Sequence, residues 1–497
     1  MRDRARDPWH DRQVKPGPPP LADAADPLGK LQRGLGSGYL WVLDADRAVG
    51  HALLMHCVFN DPRWDRQLDD RDDYHATLAL DVQLHTGALE LWLRDSDEDD
   101  AETTNDVLGV LGRMAVRGHA DARRILREYV AYGHFWMRAI ERLIGDYDAL
   151  RATTPWPEVV GGLDAVLLGR FSNDDELAEA LAGLDPRERP WTMWSVANPR
   201  IARAFALEQR GGGASATARG AAGTFATGTS RRRTPRERST GQRPREMSTA
   251  TLLQIAEDSR WTQIADELAL RAEPADVELL LGAANDPAVP MRRAAILALG
   301  RQGRAELLTI AEQVTDQAQR GKLQGAIALA LEAMPLSQTR ALAHDWLESA
   351  DWARRRKAAG MLATWAEDED LEPARRALSR ELDEGLQGDV YVVGSLAEAL
   401  GRCGVHGPFE ELLRAYEEMP YSYGRRYVVA ALAASDPTFD GDVAVECLWD
   451  CEAETRRLAA THVDRRVRLA AQRLEELRGD EAQAASVRAA AAERLGA

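Results

Sequence analysis

Seven positions in the second half of the chain, Leu268, Leu299, Leu331, Leu362, Leu400, Leu432 and Val463, anchor one recurring alanine-rich pattern. They are 31, 32, 31, 38, 32 and 31 residues apart, a period that implies stacked helical hairpins rather than a pocketed globule. With each anchor as position zero, positions −4 and −3 are apolar in all seven units, from Ile264 and Ala265 to Ala459 and Ala460. Positions −4, −3 and 0 share one helix face, and the frequent alanine lets neighbouring helices come close. The sequence predicts an all-α fold, an α-solenoid of antiparallel helical hairpins.

Position −7 is arginine in four units, as Arg292, Arg355, Arg425 and Arg456, and position −13 is aspartate in two, as Asp286 and Asp450. A cation in the first turn of a helix opposes the macrodipole, so these arginines are expected to have acidic partners, which an aspartate in the preceding turn could supply. The segments NDPAVPMRRAAILALGRQG, ADWARRRKAAGMLATW, VYVVGSLAEALGRCG, SYGRRYVVAALAASD and CEAETRRLAATHV carry phase, turn and basic position together. Through them the chain resembles the HEAT-repeat family, including its short bacterial members of the phycobilisome-lyase type. The resemblance covers residues 247–466 and implies two antiparallel helices per unit, with an Asp–Arg ladder along the stack. Val393 and Gln324 replace ladder arginines, and the 38-residue interval holds an extra turn plus loop, so the ladder is expected to break there. In the first half, LGKLQRGLGSGYLWVLDADR and HCVFNDPRWDRQLDDRDDYHATLALDV look like actinobacterial HEAT-repeat proteins, a likeness that brings no activity with it. Asn60-Asp61-Pro62 there repeats the turn Asn285-Asp286-Pro287, which places Pro62 at the first helical position. The charges from Asp65 to Asp73 offer i, i+3 and i+4 pairs on a helix expected to be solvated and self-paired.

Residues 1–27 are charged and Pro-rich and are expected to be flexible. Residues 28–209 read as an N-terminal helical-hairpin domain. Its clearest stretch has Val107, Leu108, Leu111 and Met114, then Ile125, Leu126, Tyr129 and Val130, at helical spacing, with Gly118 and Gly133 as stops. Residues 210–249 form a Gly/Ser/Arg-rich linker expected to be disordered, 250–466 the repeat array, and 467–497 capping helices. Between Arg210 and Met247 the linker carries nine Arg and two Glu, a net +7, against −17 for the whole chain. Two acidic helical segments are thus joined by a basic tether, read first as a solvated spacer and second as an arm for RNA, DNA or an acidic protein.

The excess of 80 Asp and Glu over 63 Lys and Arg argues against nucleic acid everywhere but the linker. Four cysteines make no disulfide framework and fit a reducing, cytoplasmic compartment. The opening MRDRARDPWHDRQVKPGPPP lacks the apolar core of a signal peptide, and no stretch approaches the ~18 apolar residues of a membrane span. Neither export nor membrane association is expected.

No His is followed by Glu, which removes the His-Glu pairs that HEAT-like hydroxylases use to hold iron. G-x-S-x-G, H-E-x-x-H and C-x-x-C are absent. Cys447 and Cys451 lie one turn apart in CLWDC, but with His462 they fall short of four zinc ligands, so buried cysteines are favoured. His51, His56 and Cys57 fail similarly, because i, i+5 spacing splits the two histidines between faces. Asp95, Asp97 and Asp99 have calcium-loop spacing, yet Asp100 stands in place of the required Gly and Asp106 in place of Glu, which favours an acidic loop. Gly34, Gly36 and Gly38 lack the strand and the Lys of a phosphate loop and are expected to break a helix. No catalytic, cofactor-binding or metal-binding residue is assigned.

The function expected is a non-enzymatic scaffold or adaptor holding a protein partner in the groove lined by the second helices of the repeats. Its candidate contacts are Arg293, Arg354, Arg426 and Arg457, which adjoin the ladder positions. The plainer role for these four is to cap and brace the stack. The alternatives are nucleic-acid association through linker residues 231–245 and an enzyme with catalytic groups scattered through the sequence.

Overall fold

The helical periodicity resolves into 28 α-helices and a 3₁₀ turn, with no strand among the described residues. The computed structural model describes residues 20–63, 71–95, 100–144, 161–182, 184–185, 190–211, 246–256, 261–315, 320–385, 390–403, 407 and 409–496. Residues 1–19 and 212–245, which include most of the expected flexible N-terminus and linker, lie outside this set, as do residues 64–70 and 96–99.

Contacts gather the chain into two units. The first comprises the described residues up to Gly211, then Pro420–Tyr423, then Gly441 onward; the second comprises those from Glu246 to Met419 and Gly424–Asp440. The N-terminal part of the first unit holds α1 (Pro27–Gln32), α2 (Gly36–Asp44), α3 (Arg47–Phe59), α4 (Asp72–Asp81), α5 (Gly87–Asp95) and α6 (Ala101–Val116). It continues with α7 (Ala120–Tyr132), α8 (Trp136–Ile144), α9 (Leu163–Arg170), α10 (Asp174–Ala180), α11 (Trp191–Ala197) and α12 (Pro199–Gly211). The second unit begins with α13 (Thr249–Gln254), α14 (Trp261–Ala269), α15 (Pro274–Ala283), α16 (Val289–Arg301), α17 (Glu306–Thr315) and α18 (Arg320–Ala333). Then follow α19 (Leu336–Leu347), α20 (Trp352–Trp365), α21 (Leu371–Asp383), α22 (Val390–Arg402), α23 (Glu410–Glu418) and α24 (Ser422–Ser435). The last four helices, α25 (Val443–Cys447), α26 (Ala453–His462), α27 (Arg468–Gly479) and α28 (Ala485–Gly496), return to the first unit.

In the second unit the even-numbered helices carry the anchors and pack in succession, α14 on α16, α16 on α18, α18 on α20 and α20 on α22. Each odd-numbered helix pairs with the anchor helix after it, α15 with α16, α17 with α18, α19 with α20 and α21 with α22. All the residues at positions −4, −3 and 0 are buried except Ala328, which is half-buried. Each buried leucine or isoleucine among them contributes about 1.5–3 kcal/mol. The helices approach so closely that a Cβ on Gly300 of α16 would overlap the Ala330 carbonyl of α18. The long interval between Leu362 and Leu400 contains the 3₁₀ turn Asp368–Asp370. Its buried Asp370 accepts from Arg340 Nε at 3.1 Å and pairs with His344 Nε2 at 2.7 Å.

A repeat array running to residue 466 was expected, but α25 and α26 fall in the first unit. The glycines of GLGSG show why. Gly34, at φ +70°, lies in the break between α1 and α2, whereas Gly36 and Gly38 fall inside α2, and a Cβ on Gly36 would collide with the Glu446 carbonyl of α25. The Cys451 N–H donates to the Gly34 carbonyl at 2.9 Å. Backbone therefore rests on backbone at a point where only glycine leaves room.

Of the charged stretch before α4, the charges from Asp65 to Asp70 lie outside the described residues, and its flanks depart from expectation. Pro62 lies outside any helix, and Arg71 and Asp72 are 1% and 5% exposed rather than solvated. Their partners are distant in sequence. Arg63 pairs with Asp61 at 2.9 Å, with Asp72 at 3.4 Å and with Asp106 of α6. Arg71 pairs with Asp61 at 3.4 Å and donates to the carbonyls of Gln32 and, at 3.0 Å, Pro420. Arg117 joins Asp73 at 2.7 Å to Asp480, past the end of α27, at 3.1 Å. Neighbouring ion pairs on one helix are weak, and this tertiary network overrides them.

Two predictions follow from the first unit. In a chain ending at Asp440, amide exchange in α2, α4 and α6 is expected to accelerate by more than about tenfold, while α18 and α20 keep their protection. Unchanged protection in α4 would show that α25–α28 are not needed by this unit. His75, buried beside this network with Nε2 unpartnered among the described residues, is pushed by burial down to about 4. The unfolded chain takes up that proton below an ordinary value near 6.5, so stability is full above it and declines as pH falls towards 4. The decline is on the order of 3 kcal/mol. Urea titrations from pH 7 to 4 should show a shallower decline in His75→Gln than in the parent, and equal slopes would refute the assignment.

Candidate interaction surface

The arginines at position −7 show how the repeat is braced. Arg292 Nε donates to the Ala284 carbonyl at 2.8 Å, and Arg425 Nη1 to that of Met419 at 3.3 Å. Arg355 Nη1 reaches the carbonyls of Ser349 and Ala350 at 3.2 and 3.3 Å, and Arg456 Nη1 those of Asp450 and Cys451 at 2.7 Å each. Arg292 and Arg425 thus meet the carbonyl just past the preceding helix, while Arg355 and Arg456 meet carbonyls of the turn that follows it. A cation is favourable there, which resolves the apparent conflict with the dipole of the helix that carries it. Asp286 and Asp450 shape the same turns, accepting from the N–H groups of Ala288 at 2.7 Å and Glu452 at 2.8 Å. Arg355 also meets carboxylates, Glu381 at 2.6 Å and Glu384 at 3.2 Å, both on or just beyond α21.

The four candidate contact arginines are not brought together as one row. Arg293 packs over the Trp261 ring at 5.8 Å. Arg426 lies 4.7 Å from the Tyr427 ring centroid and donates to its hydroxyl at 2.7 Å. Arg457 belongs to the first unit and makes a two-pronged pair with Glu454 at 2.8 and 2.6 Å. Arg354 is half-buried at position −8, out of register with the other three, which sit at −6. The −6 residue of that unit is Arg356, which the sequence reasoning passed over and which counting from Leu362 would have found. It is exposed, 6.0 Å from the Trp352 ring and 5.3 Å from that of Tyr391 on α22.

Arg356 marks the middle of a continuous face. Helix α20 buries nearly every side chain except a stripe at Trp352, Arg356, Gly360, Thr364 and Trp365. Trp352 and Trp365 begin and end the helix, about 20 Å apart at 1.5 Å per residue. Beside the stripe, α22 exposes Tyr391 and α18 exposes Leu329. Trp352, Tyr391, Trp365 and Leu329 are 48%, 46%, 44% and 44% exposed. Trp365 Nε1 donates to the Glu332 carbonyl at 2.8 Å, and the Tyr427 ring of α24 lies 3.3 Å from where a Cβ on Gly394 would be. Two carboxylates share the face. Burial pushes Glu332 up against the opposing pull of Arg356, and likewise Glu398 against Arg402 and Arg426.

The other sequence candidates are placed elsewhere. Cys57, Cys403, Cys447 and Cys451 are free and buried. Burial pushes Cys57 up to about 12 and Cys403 up to about 11, which suppresses the reactive thiolate. Among the described residues, no group of three or more His, Cys, Asp or Glu is placed to hold a metal ion. His51 pairs with the Val82 carbonyl at 2.9 Å, while His56 is exposed. Asp100 caps α6 through the Thr103 N–H at 3.0 Å, and Asp106 is taken up by Arg63. Linker residues 231–245 lie outside the described residues. No helix among the described residues is long and apolar enough to cross a membrane. No family model and no curated protein matches the chain.

Proposed function

We propose that this chain is a HEAT-like helical-repeat scaffold that binds a protein partner along the exposed face of α18, α20, α22 and α24. The observation that carries this reading is the Trp352–Arg356–Tyr391 cluster, a guanidinium set against two half-exposed rings from neighbouring helices. Tryptophan, tyrosine and arginine are the residues most enriched at the energetic centres of protein interfaces. Large rings contribute contact area with little rotamer entropy to lose, and a guanidinium supplies directional donors. The succession of anchor helices gives the cluster a rigid support, as a binding site requires. The four free, buried thiols fit a reducing compartment such as the cytoplasm.

Substituting Trp352→Ala together with Arg356→Glu is expected to abolish co-purification of the partner with the full-length chain. Because both side chains are exposed, helical content and unfolding midpoint should stay close to those of the parent. Arg457→Glu serves as the control outside the face and should leave recovery intact. Undiminished recovery with the double variant would remove this face from consideration.

A further inference from the structure

We infer that the partner segment received by this face is an extended acidic peptide, whose carboxylates meet Arg356 on α20 and Arg426 on α24; this inference rests on the scaffold reading above. Both guanidiniums lie against aromatic faces, Arg356 near Trp352 and Tyr391 and Arg426 on Tyr427. The planar fork of a guanidinium matches a carboxylate, and Arg426 directs one of its donors to the Tyr427 hydroxyl at 2.7 Å. Two carboxylates feel these charges: Arg356 opposes the rise that burial imposes on Glu332, and Arg402 and Arg426 oppose that on Glu398.

The spacing sets the form of the ligand. Helices α20 and α24 are two steps apart in the succession of anchor helices, with α22 between them, at about 8–10 Å per step. Two steps, about 16–20 Å, match five to six residues of extended chain at ~3.3 Å per residue. Tyr391 of α22 is 46% exposed, and an apolar side chain of the ligand lies against it.

The test is fluorescence anisotropy on the full-length protein with a labelled ten-residue peptide. The peptide has glutamates at its second and eighth positions and leucine at its fifth, in a Gly/Ser background. Counterparts replace both glutamates with glutamine or lysine, and a single-stranded oligothymidine is run alongside. The glutamate peptide should bind at least about tenfold more tightly than the glutamine one, a difference of about 1.4 kcal/mol, and the lysine peptide should not bind. Arg356→Ala with Arg426→Ala should weaken binding about tenfold, whereas Glu332→Gln with Glu398→Gln should strengthen it. A merely structural role for these residues would not produce opposite signs. Equal affinity for the glutamate and glutamine peptides, tighter binding of the oligonucleotide, weakening by the Glu→Gln pair, or no binding at all would overturn the inference. If the co-purifying partner is still lost in the Trp352→Ala, Arg356→Glu chain while the peptides show no acidic preference, the scaffold reading stands and the acidic ligand falls.

Discussion

The fold depends on helices coming nearly backbone to backbone. Leucine at six of the seven anchor positions supplies the apolar area, but alanine, at position −3 in five units, and glycine at selected points set the distance. At Gly300 the neighbouring Ala330 carbonyl leaves no room for a side chain. The same constraint governs the first unit, where Gly36 receives the Glu446 carbonyl. A larger residue at either point would push whole helices apart, because close-packed interiors do not absorb extra volume locally. The opening periodicity is therefore a record of distances as much as of hydrophobicity.

Close approach also buries the ends of helices, and their carbonyls must be satisfied there. Arg292 and Arg425 do this, reaching back to the carbonyl that follows the preceding helix, while Arg355 and Arg456 satisfy carbonyls of the connecting turn. In the first unit the same chemistry extends across the sequence. Arg71 touches the carbonyls of Gln32 and Pro420, which stand 39 and 349 residues from it. A buried charge with several fixed partners is costly if any partner is misplaced, so such a network selects one arrangement of segments over its near alternatives. Asp61, Asp72, Asp73 and Asp106 supply its counter-charges.

This explains which parts of the molecule were legible in the sequence. Helix content, the stacking positions, the stops at Gly118 and Gly133 and the break at GLGSG are local, and a period or a turn residue reports them. The 38-residue interval announced irregularity, and the turn Asp368–Asp370 lies there. Burial of Arg71 and Asp72 was not legible, because their ordinary reading as a solvated helix follows from local spacing, and only partners far along the chain reverse it. The return of α25–α28 to the first unit escaped for the same reason. Their pattern continues the repeat, while the feature that claims them is a glycine pair more than 400 residues earlier. Arg354 and Arg356 both adjoin the ladder residue Arg355, and only the register counted from Leu362 separates them.

Register is the deeper point about the candidate surface. Successive residues of an α-helix point about 100° apart, so Arg355 is buried while Arg356 is exposed, and Arg425 is buried while Arg426 is half-buried. At −7 the arginine is spent on backbone carbonyls, and changing it would loosen the turn it braces. At −6 the helix no longer dictates the residue: Arg293 and Arg426 lie against aromatic rings, Arg356 stands exposed, and Gly325 and Gly394 hold the same position in other units. The repeat thus separates two demands by one residue, holding its interior constant while the adjoining position varies from unit to unit. In α20 and α24 that position is arginine, and in α22 between them it is glycine.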